Sequence, residues 1–206
     1  MNIKNKFLLT IAILGMACFT TNAENVTGLS LRVTKQHSLV LSLNNICNNP
    51  VQITLKDKVG ETLHNEIIKQ NDLISRVYNL KNLSFGDYSI VITFSDQIKI
   101  QPIEIGINGV ALSNSEMQTM FNPVFDQHNE FLDLSMLNLS NNEVQLILKD
   151  NDGRAVYSEC VTELGSIQRR LNLSNLAKGS YTLTVAVEEI GVFKIFEEIV
   201  DWSPKI

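Results

Sequence analysis

The run DNDG at positions 150–153 comes closest in this sequence to a metal site. It begins like a calcium-binding loop, in which carboxylate and amide oxygens alternate along the chain and a glutamate closes the site. The later ligand positions hold Arg154 and Val161, which have no carboxylate oxygen. A hairpin turn that opens with an aspartate and closes with a glycine explains the same residues. The sequence therefore predicts a turn here and no bound metal.

The other side chains of catalytic type are isolated from one another. None of the histidines, His37, His64 and His128, has a cysteine, histidine or carboxylate at metal-ligand spacing. Glu197 and Glu198 are adjacent in a predicted strand, so their carboxylates point to opposite faces and cannot act as an acid/base pair. The sequence contains no nucleophile elbow, zinc-protease motif or glycine-rich phosphate loop. We therefore expect a protein that is not an enzyme and binds no cofactor.

The charge of the chain argues against nucleic acid as a partner. Its 17 Lys and Arg residues face 22 Asp and Glu residues, which gives a net charge of −5. An acidic chain releases no counterions from a phosphate backbone, and that release drives most nucleic-acid binding. We expect an unknown protein or glycan partner at the cell envelope instead, and the oligomeric state stays open.

The first 23 residues have the pattern of a secretory signal peptide. A short basic segment precedes an apolar run at 7–19, and residues 21–23 supply small side chains for cleavage, so the mature chain is expected to start near Glu24. The alternative is a lipoprotein signal in which Cys18 carries a lipid anchor. No other stretch reaches the roughly 18 apolar residues that span a bilayer. Both signals predict export to the periplasm, the cell surface or the medium, with no transmembrane segment.

Two cysteines remain after the signal peptide, Cys47 and Cys160. An exported protein can form disulfides, and a bridge that staples a domain is expected in every copy of that domain. These two cysteines fall at positions that do not correspond in the repeat described next. We therefore expect both to be unpaired and half or fully buried, as small apolar side chains.

A stretch of the chain, residues 51–92, recurs without gaps at residues 144–185. The offset of 93 (144 − 51) also carries Gly60 to Gly153 and Leu80 to Leu173. A repeat of this length is too long for a solenoid unit of roughly 20–50 residues and suits a whole domain. The sequence therefore predicts a signal peptide at 1–23, one domain at 24–107 and a homologous domain at 108–206.

Short segments of alternating apolar and polar residues fill both copies. Each segment is bounded by a turn signal, and no long helical period appears, which predicts an all-β fold of antiparallel sandwiches. Two hairpin turns are predicted at equivalent positions, Asp57 to Gly60 and Asp150 to Gly153. The segment 113–121 is compatible either with a helical turn or with a linker and a first strand.

The end of each domain is less regular. Pro102 interrupts a predicted strand and indicates a sheet edge or a bulge, because proline donates no backbone hydrogen bond. In the last strand the two copies align at an offset of 96 (199 − 103), which pairs Ile103 with Ile199. This offset predicts a three-residue insertion in the hairpin at 188–191. Trp202 is expected in a tail beyond that strand.

A pattern of leucine, glycine and tyrosine occurs once in each copy, as Leu83, Gly86 and Tyr88 and as Leu176, Gly179 and Tyr181. It resembles the tyrosine corner of immunoglobulin-like sandwiches, in which the phenol hydroxyl bonds to the upstream backbone. The resemblance implies a structural role at a corner of the fold, with two tandem immunoglobulin-like, or fibronectin III-like, sandwiches.

The second copy also resembles the C-terminal sorting domains of proteins that Gram-negative bacteria export by type IX secretion, and small secreted relatives of unknown function. The matching motifs are Val144-x-Leu146-x-Leu148-x-Asp150, Arg154-x-Val156-Tyr157, Leu171-x-Leu173-x-x-Leu176-x-x-Gly179-x-Tyr181 and a closing strand to Val200. The resemblance implies a fold more directly than a function.

Three functions remain open at this point. The first is a non-catalytic exported protein that serves in binding, adhesion or as a scaffold. The second is a type IX secretion substrate whose second domain is the sorting signal. The third is a carbohydrate-binding module, which usually needs exposed aromatic side chains on a flat face.

Overall fold

The computed structural model describes residues 28–34, 37–44, 49–69, 73–113, 117–189 and 192–203. The predicted signal peptide, Cys18 and Cys47 lie outside these ranges. The described residues form sixteen strands, which are β1 Leu29–Thr34, β2 Ser38–Asn44, β3 Val51–Asp57, β4 Thr62–Ile68, β5 Leu73–Asn79, β6 Gly86–Thr93, β7 Gln97–Gly106, β8 Gly109–Leu112, β9 Gln118–Phe121, β10 Val124–His128, β11 Phe131–Asn138, β12 Val144–Asp150, β13 Ala155–Val161, β14 Gly165–Asn172, β15 Gly179–Glu189 and β16 Val192–Trp202. Over these ranges the chain forms no helix with the length and apolar character needed to cross a bilayer.

The contacts divide the chain into two compact units. Unit 1 contains residues 1–94 and 101–116, and unit 2 contains residues 95–100 and 117–206. The domain boundary expected at residues 107 and 108 falls in the turn between β7 and β8.

Unit 1 is a sandwich of two antiparallel sheets. One sheet has the order β1-β2-β5, and the other has the order β4-β3-β6-β7-β8. Alternation in β2 explains how the core forms, because Leu39, Leu41 and Leu43 are each 1% exposed or less while the residues between them are not buried. They pack with Ile53 of β3 and Ile90 of β6 in one apolar cluster.

Unit 2 repeats this arrangement with a three-stranded sheet, β10-β11-β14, and a four-stranded sheet, β13-β12-β15-β16. Strand β11 again alternates: Leu132, Leu134 and Met136 are buried, while Asp133 and Ser135 lie on the opposite face. The prediction of an all-β fold with antiparallel sandwiches is therefore confirmed.

The strand registers of the two units agree at the offset of 93. Ile53 lies opposite Ile92, and Leu146 lies opposite Val185. A register shift also recurs at equivalent positions of the β3–β4 and β12–β13 pairs. Corresponding residues in this part of the two units therefore occupy corresponding places in the fold.

Pro102 does not mark a sheet edge, because β7 lies between β6 and β8. Residues 97–100 of β7 pair with β9, and residues 103–106 pair with β8. Pro102 falls between these two partner segments, where the ladder on that side requires no backbone N–H.

The helical-turn alternative for 113–121 is wrong in the described part of this segment, since residues 118–121 form strand β9.

The alignment of the last strands at an offset of 96 is wrong. Ile103 is 1% exposed, whereas Ile199 is 71% exposed, so the two side chains occupy opposite kinds of face. Side chains of a strand alternate between its two faces. An alignment that is shifted by one residue therefore matches the buried residues of one strand with the exposed residues of the other.

Trp202 is not in a tail. It is the last residue of β16, lies opposite Gly179 and is 7% exposed within the core of unit 2. Its indole ring covers the end of the sandwich where the tyrosine corner lies, and its Nε1–H donates to the carbonyl of Leu176 at 3.2 Å. A buried indole needs such a partner, so the hydrogen bond explains how the sandwich accommodates this side chain.

Candidate functional site

The turn after β3 is built around one carboxylate. Asp57 Oδ1 accepts hydrogen bonds from the backbone N–H groups of Val59 at 3.0 Å and Glu61 at 2.8 Å. Gly60 has a φ of 84°, which lies in the left-handed region that favours glycine. The aspartate and the glycine therefore serve the backbone of the turn.

The equivalent turn in unit 2 has the same geometry. Asp150 Oδ1 accepts from the backbone of Asp152 at 3.0 Å and of Arg154 at 2.9 Å, and Gly153 has a φ of 77°. The guanidinium of Arg154 also lies 2.9 Å from Asp150 Oδ2 and 3.0 Å from Asp152 Oδ2. The backbone and side-chain bonds from Arg154 hold the pKa of Asp150 below its ordinary value. A cation would have to displace this arginine.

The candidate corner tyrosines both bond to the backbone four residues upstream. Tyr88 Oη donates to the carbonyl of Ser84 at 2.8 Å, and Tyr181 Oη donates to that of Ala177 at 2.8 Å. Gly86 and Gly179 begin the strands that carry these tyrosines. Leu83 and Leu176 pack against the cores of their units.

The histidines occupy separate positions in the fold. His37 precedes β2 and its carbonyl accepts from the backbone of Leu80 at 2.8 Å. His64 lies on β4 with its ring centroid 5.7 Å from that of Tyr78. His128 ends β10, and its Nε2 lies 3.7 Å from Asp133 Oδ2. Within the described ranges, no group of three or more potential ligands is placed to hold a metal ion.

A charged cluster that the sequence did not reveal joins the edge strands of the two sheets in unit 2. Arg169 Nε on β14 donates to both carboxylate oxygens of Glu159 on β13 at 3.0 Å, and its Nη2 lies 2.8 Å from Glu163 Oε1. The hydroxyl of Tyr157 donates to Glu159 as well. The Arg169 bonds are the main cause of a lowered pKa of Glu159. Burial and the Glu159 bond raise the pKa of Tyr157 to about 12.

Unit 1 has a corresponding pair at the same place. Arg76 Nε on β5 lies 3.3 Å from Glu66 Oε2 on β4, and the hydroxyl of Tyr78 donates to Glu66. The offset of 93 carries Glu66 to Glu159 and Arg76 to Arg169, which is the signal that would have identified the pair from the sequence. The tyrosine comes from β5 in unit 1 and from β13 in unit 2.

The outer face of the three-stranded sheet in unit 2 carries a second charged group. Arg170 donates to both carboxylate oxygens of Asp133 at 2.7 Å, and its guanidinium carbon lies 5.3 Å from the centroid of the Phe131 ring. The hydrogen bonds from Arg170 lower the pKa of Asp133. An open depression of about 510 Å³ borders this pair. The group is an ion pair at the protein surface, and no nucleophile in it contacts a base.

A buried amide fixes the loops at one end of unit 2. Asn138 is 4% exposed, and its side chain donates to the carbonyls of Asn142 at 2.8 Å and Glu163 at 3.0 Å. It thereby links the β11–β12 loop to the β13–β14 loop, from which Leu139 and Leu164 project with 57% and 67% exposure.

Cys160 lies on the outer face of the edge strand β13. It is unpaired and exposed, so the expectation that it is buried is wrong. Its neighbour in the sequence, Val161, takes the inward position, because alternate residues of a strand face opposite sides. Local desolvation and the nearby Glu143 raise the pKa of the thiol, which keeps it in the less reactive protonated form.

Comparison with known protein families gives one match in unit 2. Residues 122–196 match the family described as the secretion system C-terminal sorting domain. The match covers β10 to β15 and the first part of β16. The resemblance of this region to type IX sorting domains is therefore confirmed, and it indicates export to the cell surface or the extracellular space.

Comparison with solved structures finds similarity to fibronectin type-III domains and to a biofilm associated protein. A segment of two fibronectin type-III domains from chicken tenascin is 12% identical and has a TM-score of 0.30, with 85% of this chain and 98% of that chain covered. The BSP domain of a biofilm associated protein is 12% identical with a TM-score of 0.27, over 84% of this chain and 29% of that chain. Comparison with curated proteins finds no match.

Proposed function

We propose that this protein is a substrate of type IX secretion, in which unit 2 acts as the sorting signal and unit 1 is the exported cargo. The observation that carries the proposal is the family match at residues 122–196, which falls within unit 2. Unit 1 shares the sheet order of unit 2 but lies outside the match. The units therefore differ in side chains, in strand lengths and in the additional strand β8 of unit 1, and a secretion apparatus would read these features.

The proposal is tested by producing the full chain in a bacterium that has type IX secretion and in a matched strain whose apparatus is inactivated. We expect the protein at the cell surface or in the medium of the first strain and in the periplasm of the second. An unchanged distribution between the two strains would exclude type IX sorting.

For the exported cargo we propose a non-catalytic binding role, which apolar loop residues at one end of unit 1 support. Val59, Phe85 and Ile107 are 76%, 69% and 82% exposed. Asp57 at the end of β3 lies opposite Tyr88 near the start of β6, so the β3–β4 turn and Phe85 share one end of the sheet. Strand β7 follows β6 after a short turn and returns to that end, where Ile107 follows it.

Unit 2 is the internal comparison for this end of the sandwich. The offset of 93 carries Val59 to Asp152 and Phe85 to Lys178, which are charged. The fold therefore does not require apolar side chains at these positions. Exposed apolar side chains such as these lower the solubility of a protein and do not contribute to its core, and they are typical of a contact surface.

The binding role is tested with Val59→Asp and Phe85→Lys, which give unit 1 the residues of unit 2. Attachment of the purified full-length protein to the envelope fraction of the source cells would be measured, with Leu164→Ser as a control for the loss of an exposed apolar group in unit 2. We expect the unit 1 variants to lose attachment and the control to retain it. Equal attachment of all variants would remove these loops as the binding surface.

The carbohydrate-binding alternative has less support. Its strongest candidate, Trp202, lies in the core of unit 2. Of the described aromatic side chains, Phe85 stands exposed on a loop rather than on a flat sheet face.

A further inference from the structure

Three apolar side chains project from separate loops at one end of unit 1. Val59 lies in the β3–β4 turn, Phe85 directly precedes β6, and Ile107 lies in the β7–β8 turn. They are 76%, 69% and 82% exposed. Exposures this high leave little area for packing against the core or against one another. Each side chain therefore forms a separate apolar tip.

The sheet order places the three apolar tips in a row. β3, β6 and β7 are neighbours in the sheet β4-β3-β6-β7-β8, and neighbouring strands lie about 4.8 Å apart. The β3–β4 turn, the start of β6 and the β7–β8 turn are therefore spread over roughly 15 Å along one end of the sheet. A deformable apolar medium accommodates all three side chains at once, whereas a folded protein partner would need a separate pocket for each.

Two lysines lie at the level of these tips. Lys58 is a central residue of the β3–β4 turn, and Lys81 is a central residue of the turn that follows β5; both are exposed. The carboxylates of this end lie nearer to the strands. Asp57 and Glu61 face each other at the base of the turn, where the N–H of Asp57 donates to the carbonyl of Glu61 at 3.0 Å, and Asp87 belongs to β6. The outermost charges are therefore cationic and complement anionic lipid headgroups.

Unit 2 lacks this combination at the equivalent loops. The offset of 93 carries Lys58 to Asn151 and Lys81 to Ser174, which are neutral. The counterparts of Val59 and Phe85 are charged, as described above. The pairing of apolar tips with lysines is therefore a property of unit 1 and not a requirement of the fold.

We propose that this end of unit 1 docks on a membrane surface that carries anionic headgroups. Val59, Phe85 and Ile107 insert among the acyl chains, and Lys58 and Lys81 lie at the level of the phosphates. The proposal rests on the binding role proposed above for the same loops and identifies their partner as lipid. Binding of this kind strengthens with the apolar area that is inserted and with the content of anionic lipid.

Insertion is tested with Phe85→Trp as a fluorescent reporter. Trp202, the only tryptophan of the sequence, is 7% exposed, so its emission is a constant background. The chain from Glu24, the expected mature form, would be used because the apolar run at 7–19 would bind lipid by itself. With vesicles of equal parts phosphatidylethanolamine and phosphatidylglycerol, we expect a blue shift and quenching by lipids brominated along the acyl chain.

Lys178→Trp is the matched control, because it places the reporter at the equivalent position of unit 2. Its emission should not change when the vesicles are added. Unchanged emission of Phe85→Trp, or an equal change in both variants, would overturn the proposed insertion.

Co-sedimentation with the same vesicles tests the contribution of each group. Val59→Ser, Phe85→Ser and Ile107→Ser should each weaken binding about three- to tenfold, since each removes inserted apolar area. Lys58→Gln combined with Lys81→Gln should weaken binding to these vesicles but not to vesicles of phosphatidylcholine, which carry no net charge. Leu164→Ser, at an exposed loop of unit 2, should bind like the wild type.

Attachment of the same variants to the envelope fraction separates this proposal from the binding role on which it rests. Serine variants that lose envelope attachment, together with a wild type that does not bind vesicles, would overturn the lipid partner, indicate a protein partner and leave the binding role intact. Vesicle binding that the serine variants do not weaken would overturn the assignment to these loops. A wild type that binds neither vesicles nor the envelope fraction would contradict both proposals.

Discussion

At the scale of single residues, Glu159 gives unit 2 a stability that depends on pH. Hydrogen bonds from Arg169, and then from Tyr157, lower its pKa in the folded protein. A carboxyl group whose pKa is lower in the folded state stabilises the fold above its unfolded pKa. That contribution decreases as the pH falls below about 4.5, the ordinary value of a glutamate, and is lost once the folded protein also binds the proton.

The pH dependence is tested with Glu159→Gln. We expect the variant to be less stable than the wild type at neutral pH, because Arg169 loses its charged partner. The difference should shrink as the pH falls below about 4.5, and urea unfolding midpoints across this range would show it. Glu197→Gln, an exposed carboxylate on β16, is the control. A stability difference that is constant with pH would contradict the role of this pair.

The corner tyrosines supply a second prediction at this scale. Tyr88→Phe and Tyr181→Phe each remove one hydrogen bond to a backbone carbonyl and leave the ring in place. Each change should lower the free energy of unfolding of its own unit by about 0.5–1.5 kcal/mol. The loss should be greater for Tyr181, because its side chain is 6% exposed and its hydrogen bond is partly buried, whereas the hydrogen bond of Tyr88 is exposed. Denaturant unfolding of the full chain measures both, and unchanged midpoints would contradict a structural role.

Some residue contacts are only partly contained in the sequence. Glu159 and Arg169 recur at the offset of 93 as Glu66 and Arg76, so the repeat contains the information. Their pairing depends on which strands end the two sheets, and that is a property of the fold. The bonds of Asn138 to two different loops are similarly a consequence of tertiary structure.

At the scale of elements, period-two alternation located the strands well where alternate side chains are buried. Strand β2 illustrates this, since all of its leucines are buried and the residues between them are not. In β16 alternation predicted the strand but not which face is buried, because apolar Ile195 and Ile199 are exposed. An apolar residue on an outer face is indistinguishable in sequence from a core residue, so alignment by residue type paired Ile199 with the buried Ile103.

The placement of Trp202 in β16 gives a prediction for this element. Trp202→Ala removes a large buried side chain and should destabilise unit 2 by about 3–5 kcal/mol. Trp202→Phe retains most of the apolar volume, and a smaller loss is expected from the missing donor to Leu176. Thermal unfolding measures the two variants, with Ser203→Ala as a control at the adjacent exposed position. Wild-type stability of Trp202→Ala would mean that the indole is not part of the core.

At the scale of the whole molecule, the chain contains two immunoglobulin-like sandwiches that share a sheet order, apart from the additional strand β8 of unit 1, and have different surfaces. Unit 1 exposes Val59 and Phe85 where unit 2 has Asp152 and Lys178. The sorting-domain match covers residues 122–196. The shared fold follows from core alternation, which the sequence reveals, whereas the proposed division of function depends on surface positions that the core does not constrain.

The central claim is that unit 2 directs export, and the intact mass of the protein in each fraction of the source cells tests it most directly. We predict that the protein at the cell surface or in the medium lacks C-terminal residues of unit 2, as expected if the sorting signal is removed after export. Recovery of the full chain to Ile206 in the periplasm, with none at the surface or in the medium, would contradict it.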